Sequence, residues 1–216
     1  MSAQRPTVRP KPPPASRPVA AERAGRQGFA NTILIGARSG AGRSPLRPAG
    51  QLLVDYARYH RDRRNVVSHF IGIPLIVLAL GVLLGRLQLA GANLAWLVWG
   101  VSTLWYLTRG KPALGAVTSV INAGLIALAQ PLAMTDGWLA WGLGAFAAGW
   151  LIQLIGHFFE GRRPAFVDDL VGLLVGPMFV VAEWLMAFGL EHETRIEIEL
   201  GAGSTHVRDL RLPTPR

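Results

Sequence analysis

One group of polar residues stands just before and within a long apolar run, and its residue types suit metal or proton chemistry. The group reads Tyr56-x3-His60-x4-Asn65-x3-His69-x2-Gly72-x-Pro74. At about 100° per residue, Asn65 and His69 share one face of a helix, and so do Tyr56 and His60. His60 and His69 are nine residues apart, which puts them on opposite faces of a continuous helix. If both serve one site, the chain bends between them, around residues 62–65.

A second polar group stands at the end of a later apolar run. Gln153, His157 and Glu160 follow i, i+4, i+7 spacing, so they form one polar stripe on an otherwise apolar helix. Gly156 removes bulk beside His157, and Pro164 is expected to end the helix. A histidine and a glutamate at i, i+3 are an arrangement that metal sites in helical bundles use.

Together these groups offer three histidines, two amides and a carboxylate, which suit a divalent metal with nitrogen and oxygen ligands. The chain has no cysteine, so thiolate metal sites, disulfides and cysteine nucleophiles are excluded. Each residue alone also has an ordinary interpretation: His60 as a solvated surface histidine, His157 bonded to a carbonyl, Glu160 paired with an arginine. A cluster is harder to explain in this way, because ionisable groups at membrane depth are costly and usually functional.

The elements that position these groups are apolar segments long enough to suggest membrane helices. Half of the residues are hydrophobic and only 16% are charged. Five apolar runs stand out: 66–85, 92–107, 113–134, 137–159 and 170–189. The fold class is therefore all-α, a polytopic transmembrane bundle of about four to five helices. Pro74 predicts a kink in the first run, and Gly176-Pro177 with Glu183 interrupts the fifth, which is a kinked span or a re-entrant or interfacial hairpin.

The termini differ in composition from this membrane domain, which we set at residues 51–190. Residues 1–50 form a Pro/Arg-rich tail predicted to be disordered. Residues 191–216 form a polar tail in which RIEIEL predicts a short strand or nothing regular. The net charge of +9 comes largely from the first tail and from the flanks of the apolar runs. That distribution argues against nucleic acid as a partner and for orientation in a membrane.

Three basic clusters flank the apolar runs: 58–64, 109–111 and 162–163. When the spans are counted, all three clusters fall on one side, which the positive-inside rule assigns to the cytoplasm. We therefore expect a multi-pass protein, of a bacterial inner membrane, whose N-terminus and polar groups face the cytoplasm.

The order and spacing of the motifs resemble those of the Mpo-like family of membrane proteins. The resemblance covers residues 51–189 and rests on the first motif, on Gln153-x2-Gly156-His157-x2-Glu160-x3-Pro164-Ala165, and on Pro177-x-Phe179-x3-Glu183. It implies an iron(II)-dependent dioxygenase of phytosphingosine breakdown, which converts a 2-hydroxy fatty acid and O2 into CO2 and an acid one carbon shorter.

By position, the resemblance implies His60, His69 and His157 as Fe(2+) ligands, with Glu160 as a fourth ligand or as a residue that orients them. Residues expected to orient ligands or to bind the hydroxyl and carboxylate of the substrate are Tyr56, Asn65, Gln153, Arg64, Arg162, Arg163 and Glu183. The partners implied are membrane lipid, the 2-hydroxy fatty acid and O2. Two alternatives stay open: a non-catalytic membrane protein whose cluster binds lipid headgroups or stabilises the bundle, and a zinc-type hydrolase.

Overall fold

A computed structural model describes residues 47–211, apart from the side chain at position 166. The predicted disorder of the N-terminal tail falls almost entirely outside the described residues. Within these residues, seven helices and a two-stranded hairpin follow one another: α1 Ala49–Ala57, α2 Arg63–Gly85, β1 Gln88–Leu89, β2 Ala92–Asn93, α3 Leu94–Leu107, α4 Pro112–Ala133, α5 Trp138–Glu160, α6 Gly172–Ala187 and α7 His192–Ala202. A short 3-10 turn, Ala165–Val167, lies between α5 and α6.

Helices α2 to α5 form an antiparallel four-helix bundle. α2, α4 and α5 are long and apolar enough to cross a membrane, and the bent pair α6 and α7 adds a fourth candidate by the same criteria. α3 is shorter than the other three helices of the bundle, because the hairpin occupies the first residues of the same apolar run. It still runs back along the bundle. Asn93, which caps its N-terminus, donates to the carbonyl of Gly85 at one end, and Tyr106 near its C-terminus donates to the carbonyl of Leu174 at the other. We call the end where α2 begins and α5 ends the histidine end.

Small residues let α2 and α5 pack at close range. A Cβ at Gly149 would lie 2.9 Å from the carbonyl oxygen of Gly72, and a Cβ at Gly156 would lie 2.6 Å from Asn65 Oδ1. A side chain at Gly149 would meet the backbone of α2, and one at Gly156 would meet the side chains of Asn65 and Ser68. This close approach of backbones is typical of membrane helices with small residues at the interface, and it brings His69 and His157 to the same level.

Helices α1, α6 and α7 form a layer across the histidine end. They supply most of the larger hydrophobic core, together with Tyr106 and Leu114 from the ends of α3 and α4. α6 contacts residues of this end along its length: Gly176 lies against Ile73, Phe179 against the His60 ring, and Trp184 against Phe70. α6 and α7 meet at a bend of 114°, so the pair is either a broken span or a re-entrant loop; the choice between a kinked span and a hairpin for the fifth apolar run stays a prediction.

Three local expectations are wrong. α6 continues through Pro177, and the break comes later, at residues 188–191. RIEIEL is helical within α7, because Thr194 and Ile198, one turn apart, are the residues that it buries. α5 ends before Pro164, at Gly161, whose φ of 72° is the left-handed conformation that commonly closes a helix. α2 continues through Pro74, and the kink expected there stays a prediction.

Candidate metal centre and its cavity

The structure brings His60, His69 and His157 together at the histidine end. All three are buried, and one ring nitrogen from each lies within 4.8 Å of the others. Their ring centroids are separated by 4.4 to 5.1 Å, and each pair of rings is steeply inclined, by 68° to 86°. The chain does bend between His60 and His69, at residues 58–62, slightly earlier than the sequence predicts.

The hydrogen bonds of His60 and His69 fix which nitrogens carry protons. His60 Nδ1 lies 2.7 Å from the carbonyl oxygen of Tyr56, and His69 Nδ1 lies 2.9 Å from that of Asn65. Because a carbonyl oxygen only accepts, each Nδ1 must donate, and each neutral ring keeps a lone pair on Nε2. The two Nε2 atoms are nevertheless only 3.1 Å apart. Two lone pairs directed at each other are unfavourable unless an electrophile lies between them.

A divalent metal ion fits this arrangement. Two nitrogens bound at about 2.1 Å and at a right angle would be about 3.0 Å apart. His157 Nδ1 is buried and has no hydrogen-bond partner within residues 47–211, which leaves it available as a third donor. Burial, followed by the charges that His69 and His157 would carry, holds the pKa of His60 well below its usual value, so His60 is in the neutral form that binds metal.

Glu160 holds the turn that carries His60. Its Oε1 accepts from the backbone N–H of Arg61 at 3.1 Å, and its Oε2 accepts from that of Asp62 at 2.7 Å and from Asn65 Nδ2 at 3.2 Å. Both carboxylate oxygens are thus occupied by N–H donors. Of the two roles expected for Glu160, this geometry favours orientation of the ligands over direct ligation.

A network outside the expected motifs closes the same turn. Asp62 caps α2 and is bound by the guanidinium of Arg64 at 2.7 and 3.0 Å and by the backbone N–H of Arg208 at 2.8 Å. Burial alone would raise the pKa of the Asp62 carboxyl, but hydrogen bonds from Arg64 and Arg208 lower it to about 2. His206 pairs its backbone with Arg61 and Arg63 on either side of Asp62. The segment after α7 therefore belongs to the wall of the site.

A cavity of about 280 Å³ extends from the histidines into the bundle, between α2, α5 and α6. His69, His157, Gln153 and Tyr56 line it at the histidine end, and the remaining lining is apolar or glycine. Tyr56 stacks on the His60 ring at 4.1 Å. The cavity thus joins a cluster of nitrogen ligands to a space suited to an apolar chain.

The charged residues expected at the site are bound elsewhere, and none of them lines this cavity. Arg64 pairs with Asp62, Arg163 pairs with Asp168 at 2.7 Å, and Arg162 donates to the carbonyl of Arg58. Glu183 lies 3.5 Å from Arg61 and faces the other side of the turn. The expected role of Arg64, Arg162 and Arg163 in attracting a carboxylate stays a prediction; the contacts described for them serve the turns around the site.

Sequence reasoning missed Asp62, Arg61 and Arg208 as parts of the site. An aspartate directly before a long apolar helix is a recognisable N-cap signal and could have identified Asp62. Arg61, whose Nε donates to the carbonyl of Ala57 at 2.9 Å, and Arg208 carry no comparable signal. Their roles depend on tertiary contacts across more than a hundred residues.

The comparisons with known proteins agree with this site. The chain is 32% identical over 157 residues to the 2-hydroxy-palmitic acid dioxygenase MPO1 of Saccharomyces cerevisiae, an alignment that covers 66% of this chain and 87% of the yeast protein. No solved structure matches the chain. The model of one protein family matches residues 47–188, which include all three histidines and Glu160. The chain belongs to that family, the 2-hydroxy-palmitic acid dioxygenase Mpo1-like proteins.

Proposed function

We propose that this protein is an iron(II)-dependent dioxygenase that shortens 2-hydroxy fatty acids by one carbon within a membrane. The observation that carries the proposal is the convergence of the His60 and His69 Nε2 atoms, 3.1 Å apart, at one end of a largely apolar cavity that His69 lines. The yeast relative is named as a dioxygenase of a 2-hydroxy fatty acid, a substrate with a polar head and a long apolar tail. The site has the same division between a polar end and an apolar cavity.

The reaction balances without an external reductant. A 2-hydroxy acid and O2 give the acid one carbon shorter, CO2 and water. The bond between the carboxyl carbon and the hydroxyl-bearing carbon breaks, and that second carbon is oxidised to the new carboxyl group. When bound by the three imidazoles, Fe(2+) would supply the activation of O2, and neutral imidazole is a ligand that suits iron.

The residues around the cluster have three roles in this proposal. His60, His69 and His157 hold the metal in neutral form, and the backbone carbonyls of Tyr56 and Asn65 fix two of the rings. Glu160 and Asn65 hold the His60 turn against α5. Gln153 and Tyr56 line the cavity beside the histidines, where an amide and a phenol can donate hydrogen bonds to the hydroxyl and carboxylate of the substrate.

The apolar lining accounts for a membrane location. A fatty acid dissolved in the bilayer keeps its tail among apolar side chains as it enters such a cavity, whereas its head is held at the polar end. The basic clusters 58–64, 109–111 and 162–163 belong to the turns of the histidine end, where Arg162 contacts Arg58 and Arg109 accepts from Ala49. This supports an orientation in which the histidine end faces the cytoplasm.

Two measurements test the function. The purified protein is first analysed for metal, and about one iron per chain is expected. It is then supplied with 2-hydroxypalmitate, Fe(2+) and O2, and pentadecanoate and CO2 are quantified. Stoichiometric zinc with hydrolysis of a lipid ester would favour the hydrolase, and an absence of metal and of product would favour a non-catalytic bundle.

A further inference from the structure

The cavity has a regular construction that bears on which chains it accepts. On α2 its lining descends through His69, Ile73, Ile76 and Leu80, with Val77 beside Ile76, and on α5 it runs through His157, Gln153, Trp150 and Phe146. The two series take the same steps of four, three and four residues in opposite directions. Because α2 and α5 are antiparallel, each step moves both series away from the histidine end together.

Contacts between the two helices confirm this register. A Cβ at Gly72 would lie 2.7 Å from Gln153 Cγ, and a Cβ at Gly149 would lie 2.7 Å from Ile76 Cγ1. The lining therefore consists of four layers: His69 with His157, Ile73 with Gln153, Ile76 with Trp150, and Leu80 with Phe146. The first layer is the candidate metal site and the second contains an amide. The third and fourth have only apolar or aromatic side chains.

We infer that Leu80 and Phe146 form the floor of an acyl channel and set the chain length of the substrate, an inference that rests on the proposed function. The first and fourth layers are eleven residues apart on each helix, or about 16 Å at 1.5 Å per residue. A substrate whose head lies at the histidines would place its tail along these layers. Each methylene buried in the channel contributes about fourfold to affinity, so its depth discriminates between chains.

The other wall supports an enclosed channel near the histidines. α6 supplies Gly172 and Gly176 to the cavity, and a Cβ at Gly176 would lie 2.9 Å from Ile73 Cδ1. Gly176 lets α6 pack closely on α2, so this wall closes the cavity on the side of Ile73. Leu80 and Phe146 lie below this wall, at the end of the lining farthest from the histidines, where Leu80 is 39% exposed on the surface of the bundle and Phe146 is half-buried.

The first test compares substrate profiles. Wild type and the variants Phe146→Ala, Ile76→Phe and Leu143→Ala are assayed with saturated 2-hydroxy acids of increasing length. Phe146→Ala should move the preferred chain upward by about one layer, roughly 5 Å of chain, and Ile76→Phe should move it downward. Leu143→Ala is the matched control, because Leu143 is 52% exposed on the same helix at a similar depth; its profile should equal that of wild type.

The second test measures binding without turnover. Metal-free protein is titrated with fatty acids brominated at successive carbons, and the quenching of Trp150 fluorescence is taken as the difference between wild type and Trp150→Phe. The inference predicts strongest quenching from one bromine position, which moves along the chain in Ile76→Phe. Quenching that is equal for all positions, or the same in every variant, would overturn the channel.

The two hypotheses fail in different ways. If wild type shortens no acid of any length, the proposed function fails, whereas the quenching pattern still reports whether a chain occupies the channel. If wild type is active but Phe146→Ala, Ile76→Phe and Leu143→Ala share its profile, the function stands and the floor assigned to Leu80 and Phe146 is wrong.

Discussion

The Nε2 atoms of His60 and His69 lie 3.1 Å apart, although the Nδ1 of each ring is committed to a backbone carbonyl. The pair has no proton to share while both rings are neutral in these tautomers, so a bound cation is the simplest way to relieve the repulsion of the lone pairs. His157 offers the third nitrogen from a helix that is distant in sequence. This relationship leads to predictions about the metal, the carboxylate beside it, the packing of α2 on α5 and the C-terminal segment.

Replacement of any of the three histidines by alanine should abolish iron binding and turnover. A site with two imidazoles left is expected to lose affinity by at least about 100-fold, since even residues that only orient a ligand are worth about 10- to 100-fold. Iron content after purification and a Fe(2+) titration measure this directly. His192→Ala is the control, because His192 is exposed at the start of α7. Normal iron content in His157→Ala would contradict the site.

Glu160→Gln should weaken iron binding without removing it. A glutamine supplies one neutral acceptor oxygen in place of two charged ones, so one backbone N–H at Arg61 or Asp62 loses its acceptor and the other keeps only a neutral one. We expect a loss of about 1–3 kcal/mol in the free energy of unfolding and a roughly 10- to 100-fold lower iron affinity. Thermal unfolding in detergent and the Fe(2+) titration measure the two effects.

The distinction from a ligand role lies in the spectroscopy of the bound metal. If Glu160 only orients the His60 turn, X-ray absorption of iron-loaded Glu160→Gln should match that of wild type once the site is saturated. A changed set of oxygen neighbours would instead make Glu160 a ligand. Glu193→Gln, at an exposed position in the first turn of α7, provides the control.

The long apolar helices and the faces that carry the two polar motifs follow from the sequence alone, because both depend on local patterns. A stretch of about 20 apolar residues is a helix in a membrane whatever its neighbours are. The His60 turn has to bend if His60 and His69 are to meet, and i, i+4 spacing fixes the faces of α2 and α5. These features required no knowledge of distant contacts.

The layer of α1, α6 and α7 was harder to predict, because its geometry depends on tertiary packing. The Ile196 and Ile198 alternation in RIEIEL favours a strand locally, yet burial of Thr194 and Ile198 against the layer makes it a helix. Arg64 is basic and close to the site in sequence, and only its contact with Asp62 shows that it stabilises a turn. Charge near a motif therefore does not indicate what the charge binds.

Gly149→Ala should separate α2 from α5 and damage the site from a distance. The added Cβ would lie 2.9 Å from the carbonyl oxygen of Gly72 and 2.7 Å from Ile76 Cγ1, and backbone cannot move aside as a flexible side chain can. We expect a loss of about 1–3 kcal/mol in the free energy of unfolding, together with weaker iron binding, because His69 and His157 lie on the two separated helices.

Gly144→Ala is the matched control on the same helix, since nothing lies within 4 Å of a Cβ at that position. It should unfold at the wild-type temperature or slightly above it and bind iron normally. Equal stability and equal iron affinity in Gly149→Ala and Gly144→Ala would mean that close packing of α2 on α5 does not set the geometry of the site.

Termination of the chain after Gly203 should lower iron affinity more than it lowers the stability of the bundle. The residues removed include His206, which bonds to the backbone of Arg61 and Arg63, and Arg208, whose N–H binds Asp62 and whose Nη1 donates to the carbonyl of Phe159. Their loss frees the turn that carries His60 and leaves Asp62 with fewer donors, whereas α2 to α5 keep their mutual contacts. We expect iron affinity to fall about 10- to 100-fold, as for other contacts that orient a ligand.

Termination after Arg211 keeps these bonds and is the control. Iron titration, with circular dichroism to verify helix content, measures the effect, and equal affinity in the two truncated chains would show that the segment after α7 has no part in holding His60.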